Sequence, residues 1–370
     1  MRSAKIGIIA YFTIILKYGI IIGGVARTAF TKIKTKLKNR KEINTMSEEI
    51  KNTKAENALY TMAANLVTEI EKVVVGKHNE VVLLVTAMLS GTHVLIEDVP
   101  GVGKTTLASA IAKAAGLQFK RAQFTPDVMA SDITGFNMYN RKTEEFEFHE
   151  GLAMTNIMLA DEINRASPKT QSALLEAMEE HKVTVDGVSY PMPEPFMVIA
   201  TQNPSGFVGT YPLPEAQLDR FAMKLSMGYP SVREEIAIIS DRKKVDPSSK
   251  IETVASSTMI EKLREAVKNV HIDDAIYEYI VNLVVATRNS EYLTLGSSPR
   301  GSLALMKTAQ AYAFMMGRDY VLPEDVAMLY KRVIGHRITL RQEAKLNRIT
   351  ATDVLDNILR KTEAPFISKK

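Results

Sequence analysis

The sequence predicts a three-layer α/β domain built on a parallel five-stranded sheet, followed by a small all-α domain. Three observations carry this expectation: five short apolar runs separated by helical segments, a glycine-rich turn directly after the first run, and a change near Asp241 to amphipathic helices alone. Apolar runs without polar alternation mark strands buried on both faces, as in parallel sheets. With 370 residues and 46% hydrophobic content, the chain is long enough for two domains with a sizeable core.

The elements follow in order. Leu59, Met62, Ala63, Leu66 and Ile70 recur at helical spacing, and a second apolar stretch runs from Val81 to Leu89, with the turn Val73–Lys77 between them. Strands are expected over residues 93–97, 119–124, 156–160, 196–201 and 223–227. Two hairpins interrupt the alternation. Val183–Tyr190 alternates around Asp186-Gly187, a strong two-residue turn; Gly135–Tyr139 would pair with Glu145–Phe148 around the charged tip Asn140–Glu144. After the linker Pro247–Lys250, Ile260, Leu263, Val267 and Val270 form one helical face, and Ile276, Ile280, Leu283 and Val284 another. Ser302–Met316 ends at Gly317, Leu322-Pro323 opens a helix stopping near Gly335, and Thr350 with Asp353 opens the last. The expected organisation is an extension over 1–45, an α/β domain over 47–240 and a helical domain over 251–365.

The net charge of +5 belongs to the first segment: ten of the 47 Lys and Arg, but a single acidic residue of 42, fall within residues 1–45. The remainder is mildly acidic and the chain has no Trp, which weighs against a nucleic-acid motor. Cysteine is absent, which excludes disulfides and thiolate sites, and the six histidines form no i, i+4 pair, so a zinc site is not expected. The first segment has an apolar run from Ile6 to Ala26, broken by Lys17 and followed by basic residues from Arg27 to Lys41. About twenty apolar residues cross a bilayer, and the basic flank would keep the C-terminal side in the cytoplasm. Lys17 costs about 2.5–3.5 kcal/mol at mid-membrane, and Met46-Ser-Glu-Glu reads as a natural cytosolic start. Two expectations stand: a cytoplasmic protein tethered to the inner face of the membrane through residues 6–26, or a free cytoplasmic chain starting at Met46.

The chemistry begins at Val94-Leu-Ile-Glu-Asp-Val-Pro-Gly-Val-Gly-Lys-Thr-Thr106. Pro100, Gly101, Val102 and Gly103 form a turn whose glycines let main-chain N–H groups face a phosphate. Lys104 supplies a cation for the β- and γ-phosphates and Thr105 a hydroxyl for Mg²⁺, while the helix opening at Thr105 and Thr106 adds its positive end. The first glycine of G-x-x-x-x-G-K-[ST] is replaced by Asp98. Ile157-Met-Leu-Ala-Asp161-Glu162 places two carboxylates at a strand end, Asp161 for Mg²⁺ and Glu162 to deprotonate the attacking water. Asn203 would position that water or sense the γ-phosphate; the other reading is a turn before Pro204. Arg220, near the end of a short helix, is either half of a surface pair with Asp219 or an arginine finger for the next subunit's site. Arg300 comes after an N-cap, Ser298, and Pro299, where a cation opposes the helix dipole unless an external anion such as ATP phosphate answers it.

Together these residues resemble the AAA+ ATPases with their P-loop domain, and among them the MoxR family. The matching segments are Glu97–Thr105, Ala160-Asp-Glu-Ile-Asn-Arg-Ala166, Ala200-Thr-Gln-Asn-Pro204, Leu213–Phe221 and Ser298-Pro-Arg300, with Arg121–Asp127 and Ser131–Gly135. The resemblance covers roughly residues 47–365, and Asp98 recurs in many loops of that family. It implies that Val75-Gly76 lies near the adenine and that the helical domain is the family's lid. It also implies an ATP hydrolase acting as a homo-oligomeric, usually hexameric ring. Its clients would be proteins to be remodelled or matured, often von Willebrand factor A-domain proteins. A magnesium-chelatase-like subunit is the runner-up; the intact carboxylate pair weighs against a non-hydrolysing switch.

Overall fold

The computed structural model describes residues 58–99, 101–203, 210–242 and 247–366. The run Ile6–Ala26, the start at Met46 and Pro100 lie outside them. Among the described residues no helix is long and apolar enough to cross a membrane.

Five parallel strands form the central sheet: β1 (Val94–Glu97), β2 (Phe119–Gln123), β5 (Ile157–Asp161), β8 (Met197–Gln202) and β9 (Met223–Leu225), in the order β2-β5-β8-β1-β9. Each expected strand is present, with ends shifted by one or two residues. The apolar runs have a two-sided origin. Val94 and Ile96 of β1, Ile157 and Leu159 of β5, and Met197 and Ile199 of β8 enter one core. The residues between them, Leu95, Met158, Ala160, Val198 and Ala200, enter the other. Side chains that alternate faces are therefore all buried, and the period-two signal disappears into a continuous apolar run.

Helices 58–71, His78–Leu89 and Lys104–Ala114 fill the first core, and Pro168–Glu180 covers the second face through Leu174, Leu175 and Met178. Two antiparallel hairpins project from the domain: β3 (Gly135–Asn140) with β4 (Glu145–Glu150), and β6 (Lys182–Val185) with β7 (Val188–Pro191). Asp186 and Gly187 both take positive φ, +49° and +82°, as a two-residue turn between twisted strands demands.

The helical domain, expected as the lid, contains helices Ser257–Lys268, Asp274–Arg288, Pro299–Met315, Pro323–Ile334 and Ala351–Lys361, and Thr350 and Asp353 form the expected capping box. It also carries a short antiparallel pair, β10 (Leu293–Leu295) with β11 (Thr339–Leu340). Strands of three and two residues are too short to produce a period, so the expectation of an all-α lid left them out. Ile260, Leu283, Leu305 and Ile334 of the lid share one hydrophobic cluster with Leu66, Leu84 and Ile111 of the α/β domain.

His93, buried at the foot of β1, accepts the Val198 N–H at Nδ1 (3.0 Å) and donates from Nε2 to the Met178 carbonyl (3.0 Å). Burial lowers its pKa to about 4. The fold thus holds it neutral while the unfolded chain takes up a proton below about pH 6.5. Its contribution is complete above pH 6.5 and is lost as pH falls towards 4, on the order of 3 kcal/mol in total. Urea denaturation at pH 7 and pH 5 should show this loss, and His93→Gln should flatten the acid slope.

Candidate functional site

Strand β1 ends at Glu97, and a turn leads into helix Lys104–Ala114. Gly101 and Gly103 stand at φ +88° and +92°, with open space where a Cβ would project. Only glycine takes this backbone without strain, and the concave side stays open. No acidic residue occupies the first turn of the helix, which holds Lys104, Thr105 and Thr106. Its positive end therefore goes unanswered from within that turn. Val102 leans on the core.

Asp98 fastens the turn to the sheet. Its Oδ2 accepts the main-chain N–H groups of Met227 (2.6 Å) and Gly228 (2.7 Å) and the Ser226 hydroxyl, while Oδ1 accepts the Val99 N–H (2.9 Å). Burial opposes its ionisation, but these donors outweigh burial and hold the carboxyl below its ordinary range. Lys104 Nζ donates to the Asp98 carbonyl (2.9 Å). A glycine at this position would lose the strut from loop to β9. The Val75-Gly76 turn leans on the same segment: Lys77 Nζ donates to the carbonyls of Met227 and Tyr229 (3.2 Å), and the Glu234 side chain lies over Gly76, whose φ of +74° favours glycine.

The carboxylates stand at the end of β5. Asp161 accepts from the Thr201 hydroxyl (2.6 Å) and from Arg121 Nη2 (2.6 Å). Thr201 Oγ1 also accepts the Glu162 N–H (2.9 Å), so one hydroxyl of β8 fixes both acidic positions. Glu162 takes φ +57°, an uncommon backbone for a residue with a Cβ, and its Oε2 accepts from Arg165 Nη1 (2.9 Å). Lys104 lies within the field of both: burial depresses its pKa, and Asp161, Asp98 and Glu162 oppose that shift. Asn203 follows Gln202, the partner of Glu97 in the sheet register, at this same carboxyl edge.

Arg220 and Arg300 stand elsewhere. The Ala222 N–H bonds to the His93 carbonyl, and Met223 pairs in register with Val94, so Arg220 belongs to the opposite, amino end of the sheet. It pairs with Glu179, through Nε (2.8 Å) and Nη2 (2.7 Å), and not with Asp219. Arg300 reaches the same Glu179 carboxylate, so within one chain a side chain and not an external anion answers it. Ser298 caps the helix as expected, accepting the Arg300 N–H. Asp219 instead binds Arg337, whose guanidinium also donates to the carbonyls of Asp219, Phe221, Ala222 and Val333.

Residues 93–223 match the ATPase family associated with various cellular activities (AAA), and residues 285–358 match the AAA lid domain. Chaperone MoxR1 of Mycobacterium tuberculosis is 40% identical over 309 residues, 81% of each chain. The chain belongs to the MoxR family of AAA+ ATPases. The uncharacterized protein YeaC of Bacillus subtilis is 51% identical over 83% of this chain and 96% of its own. A crystal structure of a protein assigned as an ATPase, from Cytophaga hutchinsonii, superposes with a TM-score of 0.80 at 36% identity, covering 86% of this chain and 99% of that one.

As a MoxR-family member the chain is an ATP hydrolase, and its residues fit the ligands that activity requires. The glycine turn is open towards a phosphate. Among the described residues no group of three or more His, Cys, Asp or Glu could cage a metal ion. Thr105 and Asp161 offer the hard oxygen donors that would suit Mg²⁺. Sequence reasoning gave no role to Arg121, Thr201, Glu179 or Arg337. Thr201 and Arg121 stand inside segments that resemble the family; nothing local marks the other two.

Proposed function

We propose that this MoxR-family ATPase hydrolyses ATP at a site completed by two copies of the chain, within a hexameric cytoplasmic ring, and uses the turnover to remodel protein clients. The observation that carries this reading is the separation within one chain: Lys104 with Asp98, Asp161 and Glu162 at one end of the sheet, Arg220 with Arg300 at the other. A head-to-tail contact brings the second group of one copy to the first group of the next.

In this reading the N–H groups of residues 101–105 and Lys104 Nζ bind the β- and γ-phosphates, with Val75 and Gly76 beside the adenine. Thr105 and Asp161 hold Mg²⁺, which would neutralise charge on the phosphates. A Glu162 carboxylate oxygen takes the proton of the attacking water as its oxygen bonds to the γ-phosphorus and the β–γ bridge breaks, and Asn203 orients that water. Arg220 and Arg300 of the adjoining copy offset the charge that develops. The β3–β4 hairpin is the client contact: Phe136, Met138, Tyr139 and Phe146 are exposed around the tip that carries Arg141 and Lys142. Von Willebrand factor A-domain proteins are among the clients this reading proposes.

A shared site makes specific activity depend on assembly. ATPase activity per copy should rise with protein concentration and level off as sedimentation shows oligomers forming; constant activity from a dilute monomer would exclude the shared site.

A further inference from the structure

Glu179, in the last turn of helix Pro168–Glu180, joins two parts of the chain. Its Oε2 accepts from Arg220 Nε and Nη2, which belong to the α/β domain, and its Oε1 accepts from Arg300 Nη2, in the first turn of a lid helix. Arg220 leads in holding the carboxyl below its ordinary range against the opposing effect of burial. The ion pairs line an open cavity of about 230 Å³, with Lys307 and Arg337 also on its wall.

Two guanidinium groups this close repel each other, and each long side chain would otherwise sample many rotamers. Nε and Nη2 converge on one carboxylate oxygen, which holds that edge of the rigid Arg220 guanidinium towards Glu179. Nη1 of Arg220, and Nη1 and Nε of Arg300, meet no partner among the described residues. Each arginine therefore keeps N–H groups for an anion while Glu179 holds it.

We infer that Glu179 is a positioning residue for hydrolysis in the neighbouring copy, holding Arg220 and Arg300 side by side so that their remaining N–H groups meet the γ-phosphate together. The inference rests on the shared-site reading above. It opposes a second possibility on the same contacts, that Glu179 is a lock keeping the arginines from the phosphate.

The test uses the full chain carrying Glu179→Ala or Glu179→Gln. The side chain is about one-third exposed, so neither change opens a core. Positioning predicts that kcat falls roughly 10–100-fold while the KM for ATP stays near wild type, with Gln milder than Ala because its amide oxygen still accepts one guanidinium. Mixing Glu179→Ala with Lys104→Ala should restore activity, because the Lys104→Ala copy brings well-held arginines to the other copy's intact loop. A parallel mixture of Arg220→Ala with Lys104→Ala reports on the shared site alone. If that control is rescued but Glu179→Ala is as active as wild type, more active, or not rescued, the role of Glu179 is overturned. If the control itself is not rescued, the shared site fails and the inference fails with it.

Discussion

Replacing Glu162 by Gln is expected to leave ATP binding intact and to slow turnover roughly 10²–10⁴-fold, the usual contribution of a positioned general base. The change removes the base with little change of shape. Gln matches Glu in size, adopts the same φ of +57° with no added branching at Cβ, keeps its N–H on Thr201, and retains an oxygen for Arg165. What is removed is the carboxylate, with its capacity to take a proton and its charge beside Arg165 and Lys104. Single-turnover phosphate release and binding of a fluorescent ATP analogue separate the two effects. Full activity in the Gln protein would remove Glu162 from the role of base. The arrested protein also serves as a trap: clients gripped in the ATP state should co-purify with it, and their identities would test the remodelling role.

The second large effect concerns Arg220. Arg220→Ala alone should lose about 10³–10⁵-fold in kcat, the scale on which an arginine finger acts. Lys104→Ala should be inactive because its phosphates lose their cation. Mixed, the two should recover part of the wild-type rate, since one kind of interface then combines an intact loop with an intact finger. At an equal ratio with random assembly, about a quarter of the interfaces have both, and recovered activity should follow that fraction as the ratio changes. Arginines acting on their own chain's phosphate would give no recovery at any ratio.

How much of this could be read from residues alone depends on where each signal resides. The sheet was legible because burial on both faces compresses Val94–Ile96, Ile157–Ala160 and Met197–Ala200 into apolar runs, and the glycine turn because Gly101 and Gly103 occupy conformations open only to glycine. Asp161 and Glu162 were legible as a strand-end pair. Asp98 was visible only as a missing glycine; its role needs the N–H groups of Met227 and Gly228, which arrive from the segment after β9. Glu179 and Arg337 left no local trace at all. The carboxylate of the first meets Arg300 across 121 residues, and the guanidinium of the second meets Asp219 across 118. Such contacts exist only once the topology is known, and both residue types are ordinary on helix surfaces.

The grip of Arg337 has a mechanical consequence. A buried guanidinium from the lid grasps the Asp219 carboxylate and the main-chain carbonyls of Asp219, Phe221 and Ala222, on both sides of Arg220, while Arg300 is itself a lid residue. Both arginines are thus geared to the lid more firmly than to the glycine turn of their own chain. In the shared site proposed above, a tilt of the lid in one copy would be transmitted as a stroke at the adjacent copy's phosphates, and timing would pass from lid to neighbour without a relay through the sheet.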